Sequence, residues 1–525
     1  MKKITENGKW TMENTFFNYL RFSACALLIF TFVFSTTAQK RGIPPAKSMN
    51  SSVATVFQPS KSPIVTFRIQ FLTGSIDDPE GKEGLASLTA AMLAQGGSRK
   101  LAYEQIVEQF YPMASNFGWQ ADKEMTTFIG AAHVDNLPKY YDIVRQMLLE
   151  PGFRQEDFTR LKNDHINFLK TGLREGNDEE LGKERLYNII YSGHPYEHHS
   201  MGTVSSLEKI TLEDVKNFYR DNYTQANLVV GMSGGFDARF SNQMLADFAV
   251  LPKGAKKMRK IGTPQLADGM KIDIVKRETR ATAISLGFPI DVNRTIGKDY
   301  AALALVASYF GQHRSSNSYL YGRLRELRGL NYGDYAYIEY FPRGMFQFEP
   351  DPNLARKQQI FQIWIRPVEP QNANFALRAT LYELDKLVKN GLDQKTFEET
   401  RNFLTKYVNI LTQTKDAELG YELDSKYYGI PSYTDYMKEQ LAKLTPADVN
   451  NAIKKYLDSD KMRVVMITKD AEGLRDEIVN NKPGTISYAS PKPAEITNED
   501  KIISTFRIPV TAQDVTITPV QRVFE

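Results

Sequence analysis

ITLEDVKNFYRDNYTQANLVVGMSG (residues 210–234) and LTPADVNNAIKKYLDSDKMRVVMITKD (residues 444–470) are one pattern written twice. Each starts with a Thr at an N-cap position, Thr211 or Thr445, and carries an acidic residue three places on, Asp214 or Asp448. Pro446 suits the first helical position of the second copy. In both, an amphipathic stretch then passes into a β-branched run, so a helix feeding a strand is predicted in each. The beginnings of the two halves also match. GLASLTAAMLAQ (84–95) and DYAALALVASYFGQ (299–312) are Ala-rich helices that follow a strand and a polar loop. The chain therefore reads as a duplicated α+β unit.

The organisation follows from this repeat. Residues 1–38 read as a signal peptide: Arg21 precedes the apolar run Ala24–Phe34, and the small residues Thr36 and Ala38 suit cleavage before Gln39. An N-terminal membrane anchor is the alternative. Residues 39–62 form an extended lead-in with one short strand at 53–57. The first large unit spans 63–255, a Lys-, Gly- and Pro-rich linker spans 256–272, and the second unit spans 273–480. A tail, 481–525, has alternating stretches that suggest added edge strands or an arm. The single cysteine, Cys25, lies inside the predicted leader, so the exported chain holds itself together without disulfides and has no thiolate ligands. The formal charge is +4, about +2 once the leader is gone, with no basic stripe of the kind that nucleic-acid binding requires.

The first Ala-rich helix carries the functional question. Its frame is a strand, TFRIQFLTGS (66–75), a polar loop, DDPEGKE (77–83), and the helix itself. Such a frame often carries HxxEH, which stacks two imidazoles at i and i+4 to bind Zn²⁺ and sets a Glu beside them as general base. Here the five positions are Ser87, Leu88, Thr89, Ala90 and Ala91. Serine and alanine can neither ligate nor act as base. Read by itself, this small-residue face serves close packing of a neighbouring element.

Four stretches, TGSIDDPEGKEGLASLTAAMLAQGGS, LLEPGFRQEDFTRLK, YSGHPYEHHSMGTVSSLEKITLEDVKNFY and GRLRELRGLNYGDYAY, lie in this order over most of residues 63–475. With the duplication, they make the chain resemble the pitrilysin/insulinase (M16) metallopeptidases, in the smaller two-domain class that includes mitochondrial processing peptidase subunits. The resemblance implies an α+β fold of two tandem α/β sandwich domains of the LuxS/metallopeptidase-like type, joined by a linker. It places the family's zinc ligands at Ser87, Ala91 and, on a later helix, at or next to Phe168, and its base at Ala90. All four are degenerate, so no metal and no cofactor is expected in this chain; His165 alone cannot rebuild the site. The family's second domain offers substrate an Arg and a Tyr in a pattern like LRxxRGLxY. LRELRGLNY (324–332) puts Arg325 and Tyr332 at those positions. Arg is a planar donor suited to a peptide carbonyl, and a Tyr hydroxyl can donate to a developing oxyanion. Gly329 is predicted to end the helix in a left-handed conformation before the strand that holds Tyr332.

The expectation is a non-catalytic subunit. It would pair, as a heterodimer in the periplasm, with an HxxEH-bearing homologue that supplies zinc, and the pair would hydrolyse peptides or unfolded proteins. The rival expectation is a catalytically inert peptide-binding or scaffold protein without a catalytic partner. A third, a relocated metal at His194, His198 and His199, is disfavoured because Pro195 interrupts any helix through HPYEHH. GMSGGF (231–236) lacks the GK[ST] ending of a phosphate loop and reads as a strand end.

Overall fold

The computed structural model describes residues 53–525 except 256–258, 345, 346, 348 and 489; the predicted leader lies outside the described residues. β1 (Ala54–Pro59), β2 (Ile64–Phe71), β3 (Asn116–Ala121), β4 (Thr126–His133) and β5 (Leu228–Gly234) form a sheet in the order β1-β5-β2-β4-β3. β6 (Lys271–Lys276), β7 (Thr282–Ile290), β8 (Asn331–Tyr337), β9 (Gln359–Val368), β10 (Arg463–Thr468) and β11 (Val515–Pro519) form a second, in the order β11-β6-β10-β7-β9-β8. Without β11 the two orders are the same, strand for strand. The parallel pairs correspond as well, β1 with β5 and β6 with β10, and the other pairs within the repeat are antiparallel. The first sheet starts within residues 39–62 and the second within 256–272.

The repeated helix starts form as the sequence reading expects. Asp214 N–H donates to Thr211 Oγ1 at 3.2 Å, and Thr211 N–H donates to the Asp214 carboxylate at 2.9 Å. Thr445 and Asp448 make the same pair of bonds at the same distances. These capping boxes open the helices Leu212–Asn222 and Pro446–Tyr456, which lead into β5 and β10.

The two halves are joined by an exchange of helices. Asp178–Ile190, from the first half, lies on β7 and β10 of the second sheet, while Lys415–Tyr428, from the second half, lies on β5 and β2 of the first. Each helix carries a glycine at the crossing. A Cβ at Gly182 would stand 3.1 Å from Ser285 Oγ, and one at Gly420 would collide with Pro352. The sequences around them, DEELGKE and DAELGYE, correspond position by position. Strand alternation shows what the exchange buries. In β10, Val464 and Met466 belong to the second core, whereas Val465 and Ile467 join the first. Every residue of β10 is consequently buried, as in a sheet covered on both faces.

Charged side chains cross the same seam. Arg356 donates to Asp122 through Nε at 2.7 Å and Nη2 at 2.5 Å, and both residues are buried. The Arg356 guanidinium also lies 3.6 Å from the centre of the Tyr340 ring. Arg68 donates to Asp416 at 2.7 and 3.0 Å and to Asn353 at 2.7 Å.

Two stability measurements test this account. In an open helix, Gly→Ala gains about 1 kcal/mol of propensity; at Gly420 the collision with Pro352 outweighs it, so Gly420→Ala is expected to lower stability by about 1–3 kcal/mol in urea unfolding. Arg356→Met strands a buried Asp122 and is expected to cost about 3–5 kcal/mol, much of which returns when Asp122→Leu is added.

Candidate functional site

The helix Leu85–Gln95 is anchored at its start by residues distant in sequence. Gly84 has φ of 96°, and a Cβ there would collide with the Met201 carbonyl. Only glycine permits both the conformation and the approach. The Asp78 carboxylate accepts from Gly84 N–H and Ala86 N–H, each at 2.7 Å, satisfying donors that a helix start leaves unpaired. His198 Nε2 meets the same carboxylate at 3.1 Å. Burial raises the Asp78 pKa in spite of these bonds.

Ser87, Ala90 and Ala91 all face inward, at 1%, 0% and 0% exposure. Ser87 Oγ lies 3.0 Å from His165 Nε2, which comes from the helix Gln155–Asn167. His165 Nδ1 lies 2.9 Å from the Leu161 carbonyl. A carbonyl only accepts, which assigns the ring proton to Nδ1 and makes Nε2 the acceptor of the Ser87 hydroxyl. The imidazole stacks on Trp119, with ring centres 5.9 Å apart and planes 2° from parallel. Burial pushes its pKa down to about 4. His165 is thus a neutral ring with both nitrogens engaged.

The resemblance implies a third ligand at or next to Phe168; the side chain that meets Ser87 is that of His165. Phe168 is 41% exposed and its ring centre is 6.3 Å from that of His199. A π-helical segment, Phe168–Glu175, starts at this residue. One imidazole with an engaged lone pair, two alanines, a serine and an exposed phenylalanine do not fit zinc, which needs at least three protein donors. Nor is Ser87–His165 placed as a nucleophile and base: Ser87 is sealed and His165 is 3% exposed, so no substrate carbonyl reaches them.

The three clustered histidines diverge. His194 Nε2 faces the Gly262 carbonyl at 2.9 Å, and its Nδ1 accepts from Tyr196 N–H. His198 turns to Asp78. His199 Nδ1 accepts from Met201 N–H at 3.0 Å, and its Nε2 is 3.8 Å from Glu184. Among the described residues, no group of three His, Cys, Asp or Glu side chains could hold a metal ion. Around these rings lies a buried polar cluster that sequence reading missed. Lys123, whose pKa burial lowers to about 8, donates to the His198 carbonyl, and Glu184 accepts from Tyr340 at 2.7 Å.

Arg325 and Tyr332 do come together. Gly329 adopts φ of 64°, the left-handed conformation expected of it, and its N–H donates to the Arg325 carbonyl at 2.7 Å. The turn brings β8 back so that Arg325 Nη1 donates to the Tyr332 carbonyl at 2.9 Å. The guanidinium is sandwiched between the Tyr321 and Tyr332 rings, 4.7 and 4.4 Å from their centres. Tyr332 is 68% exposed. Two places along, buried Asp334 has its pKa raised to about 7 by burial, against a hydrogen bond from Asn331 and the charge of Arg325. The tail clamps this arm. Glu499 and Asp500, on the helix Ala494–Ser504, accept from Arg328 at 2.7 and 2.8 Å, and Glu499 also accepts from Arg323. The tail's alternating pattern signalled β11; nothing in it signalled this clamp.

The histidines predict a pH dependence. His165 and His199 have pKa values pushed down by burial to about 4 and about 3, below the ordinary value of about 6.5. Between those values the unfolded chain binds more protons, so their contribution is complete above about pH 6.5 and is lost as pH falls toward 4. His165→Gln, which keeps an acceptor for Ser87, is expected to flatten the loss of stability between pH 7 and 4 by on the order of 2–3 kcal/mol, read as urea midpoints at each pH.

Residues 53–204 match the family described as Insulinase (Peptidase family M16), and residues 209–404 match that described as Peptidase M16 inactive domain. A protein of Helicobacter pylori named non-peptidase homolog YmxG is 20% identical over 75% of this chain and 86% of its own length. An uncharacterized zinc protease of Rickettsia bellii is 23% identical over 52% of this chain and 64% of its own. Among solved structures, a peptidase M16 inactive domain from Pseudomonas fluorescens superimposes with a TM-score of 0.68 at 25% identity, over 79% of this chain and 96% of that one. The periplasmic protease PqqL of Escherichia coli does so with a TM-score of 0.63 at 14% identity, over 88% and 50%. The chain belongs to the M16 peptidase family, as a catalytically inactive member.

Proposed function

We propose that this chain is the non-catalytic subunit of an exported peptidase, pairing with an HxxEH homologue that carries the zinc and the base. The observation that carries the reading is a contrast. Ser87 is tied up in a buried, fully bonded pair with the neutral His165, while Tyr332 stays exposed with the half-buried Arg325 packed on its ring. The Tyr332 hydroxyl has no hydrogen-bond partner among the described residues and is available to an oxyanion. Arg325 uses one N–H on the Tyr332 carbonyl and offers others to a substrate carbonyl. The partner's zinc would polarise the scissile carbonyl and activate water; this chain would orient the peptide. The periplasmic neighbour supports the compartment, as does the leader-like pattern of residues 1–38. Among the described residues, no helix is long and apolar enough to cross a membrane.

The pair can be reconstituted. The chain by itself is expected to cleave no peptide and to copurify with no zinc, and activity is expected to appear when an HxxEH homologue from the same organism is added. In the active pair, Tyr332→Phe is expected to lower kcat by on the order of a hundredfold. Zinc-dependent cleavage by the lone chain, or an unchanged kcat for Tyr332→Phe, would overturn the proposal.

A further inference from the structure

Beyond β11, residues 520–525 leave the second sheet and seat themselves on the first half. Val520, Val523 and Phe524 are buried in the first half's core cluster. Most of the polar contacts that hold them are ones any peptide could make. Arg174, itself buried, donates through Nε to the Val523 carbonyl at 2.6 Å. Val204 N–H donates to the Phe524 carbonyl at 3.0 Å, and the Ser205 hydroxyl donates to the Glu525 carbonyl at 2.7 Å. Two further contacts read side chains. The Phe524 ring packs against His199 with centres 5.3 Å apart, and the Glu525 carboxylate lies 2.7 Å from Arg174 Nη2.

We propose that this groove is a peptide-binding site for segments of the form apolar–Phe–acidic, and that the chain fills it with its own residues 520–525. Three observations separate a site from ordinary core. The groove grips main-chain carbonyls, the feature shared by all peptides. It imposes a conformation: Phe524 has φ of 56°, a left-handed geometry that L-residues adopt only when their surroundings demand it. It also opens beside Val520 into a cavity of about 650 Å³ lined by charged side chains of both signs, Arg174, Lys276 and Lys469 with Glu175 and Glu278, space into which a longer peptide can run. The ring that receives Phe524, His199, also neighbours Phe168, so the groove adjoins the surface where the family's third ligand was expected. The inference concerns the lone chain and is independent of any role for Arg325 and Tyr332.

The test uses a fluorescein-labelled peptide Val-Gln-Arg-Val-Phe-Glu and fluorescence anisotropy. A chain ending at Pro519 is expected to bind it in the micromolar range, with the Phe→Ala peptide weaker by about tenfold or more. The intact chain is expected to exclude it. If the shortened chain does not fold, Phe524→Ala in the full chain is the second receptor, and it is expected to admit the peptide where the intact chain does not. A folded receptor that ignores the peptide, or binds a scrambled one equally well, overturns the proposal.

Discussion

Everything in this molecule rests on two helices that each sit on the other half's sheet. A sheet with one bare apolar face is not stable in water, and each half on its own would leave one. The exchange of Asp178–Ile190 for Lys415–Tyr428 covers both faces at once; Gly182 lets its helix approach Ser285 of the second sheet, and Gly420 leaves room for Pro352. The consequence is a seam at which cores, ion pairs and functional elements of the two halves cannot be separated. Arg356–Asp122 and Arg68–Asp416 lie on it, and the buried cluster of Lys123, Glu184, Tyr340 and the histidine loop grows out of it.

The helix Leu85–Gln95 buries Ser87, Ala90 and Ala91 at its inner face. It carries no charged side chain, and the polar atoms around it are arranged to satisfy one another. Ser87 donates to His165, His165 donates to Leu161, and Trp119 covers the ring. A buried polar group without a partner costs on the order of 1–3 kcal/mol, so this pairing is a condition of stability. Asp78 continues to hold the helix start, with His198 at its other side.

The tail gives the chain features that its duplicated halves do not share. Ala494–Ser504 fastens the Arg325 arm through Glu499 and Asp500, β11 closes the edge of the second sheet, and residues 520–525 return to the first half. One segment of 45 residues on the sequence thereby touches both the arm and His199, the neighbour of Phe168. A tail so engaged with its own chain is not a free arm for capturing partners.

Much of the fold was legible in the sequence because its signals are local. The Thr caps, the 3.6-residue periodicity, the β-branched runs and the left-handed Gly329 depend on neighbours a few places away. The duplication turned those local signals into a topology. That Ser87, Ala90 and Ala91 offer none of the usual zinc donors was legible for the same reason, since it follows from residue type alone. What escaped was set by contacts between residues far apart in sequence. His165 reaches Ser87 across 78 positions. Asp78 caps a helix six residues away through its side chain, and Glu499 and Asp500 find Arg323 and Arg328 across more than 170 positions. The sequence by itself determined the repeated unit, its strand and helix content and the small, uncharged side chains at Ser87, Ala90 and Ala91. Only the tertiary structure decided which histidine meets Ser87, how the halves exchange helices and where the tail returns, because packing and buried hydrogen bonds act between side chains that only the folded chain brings together.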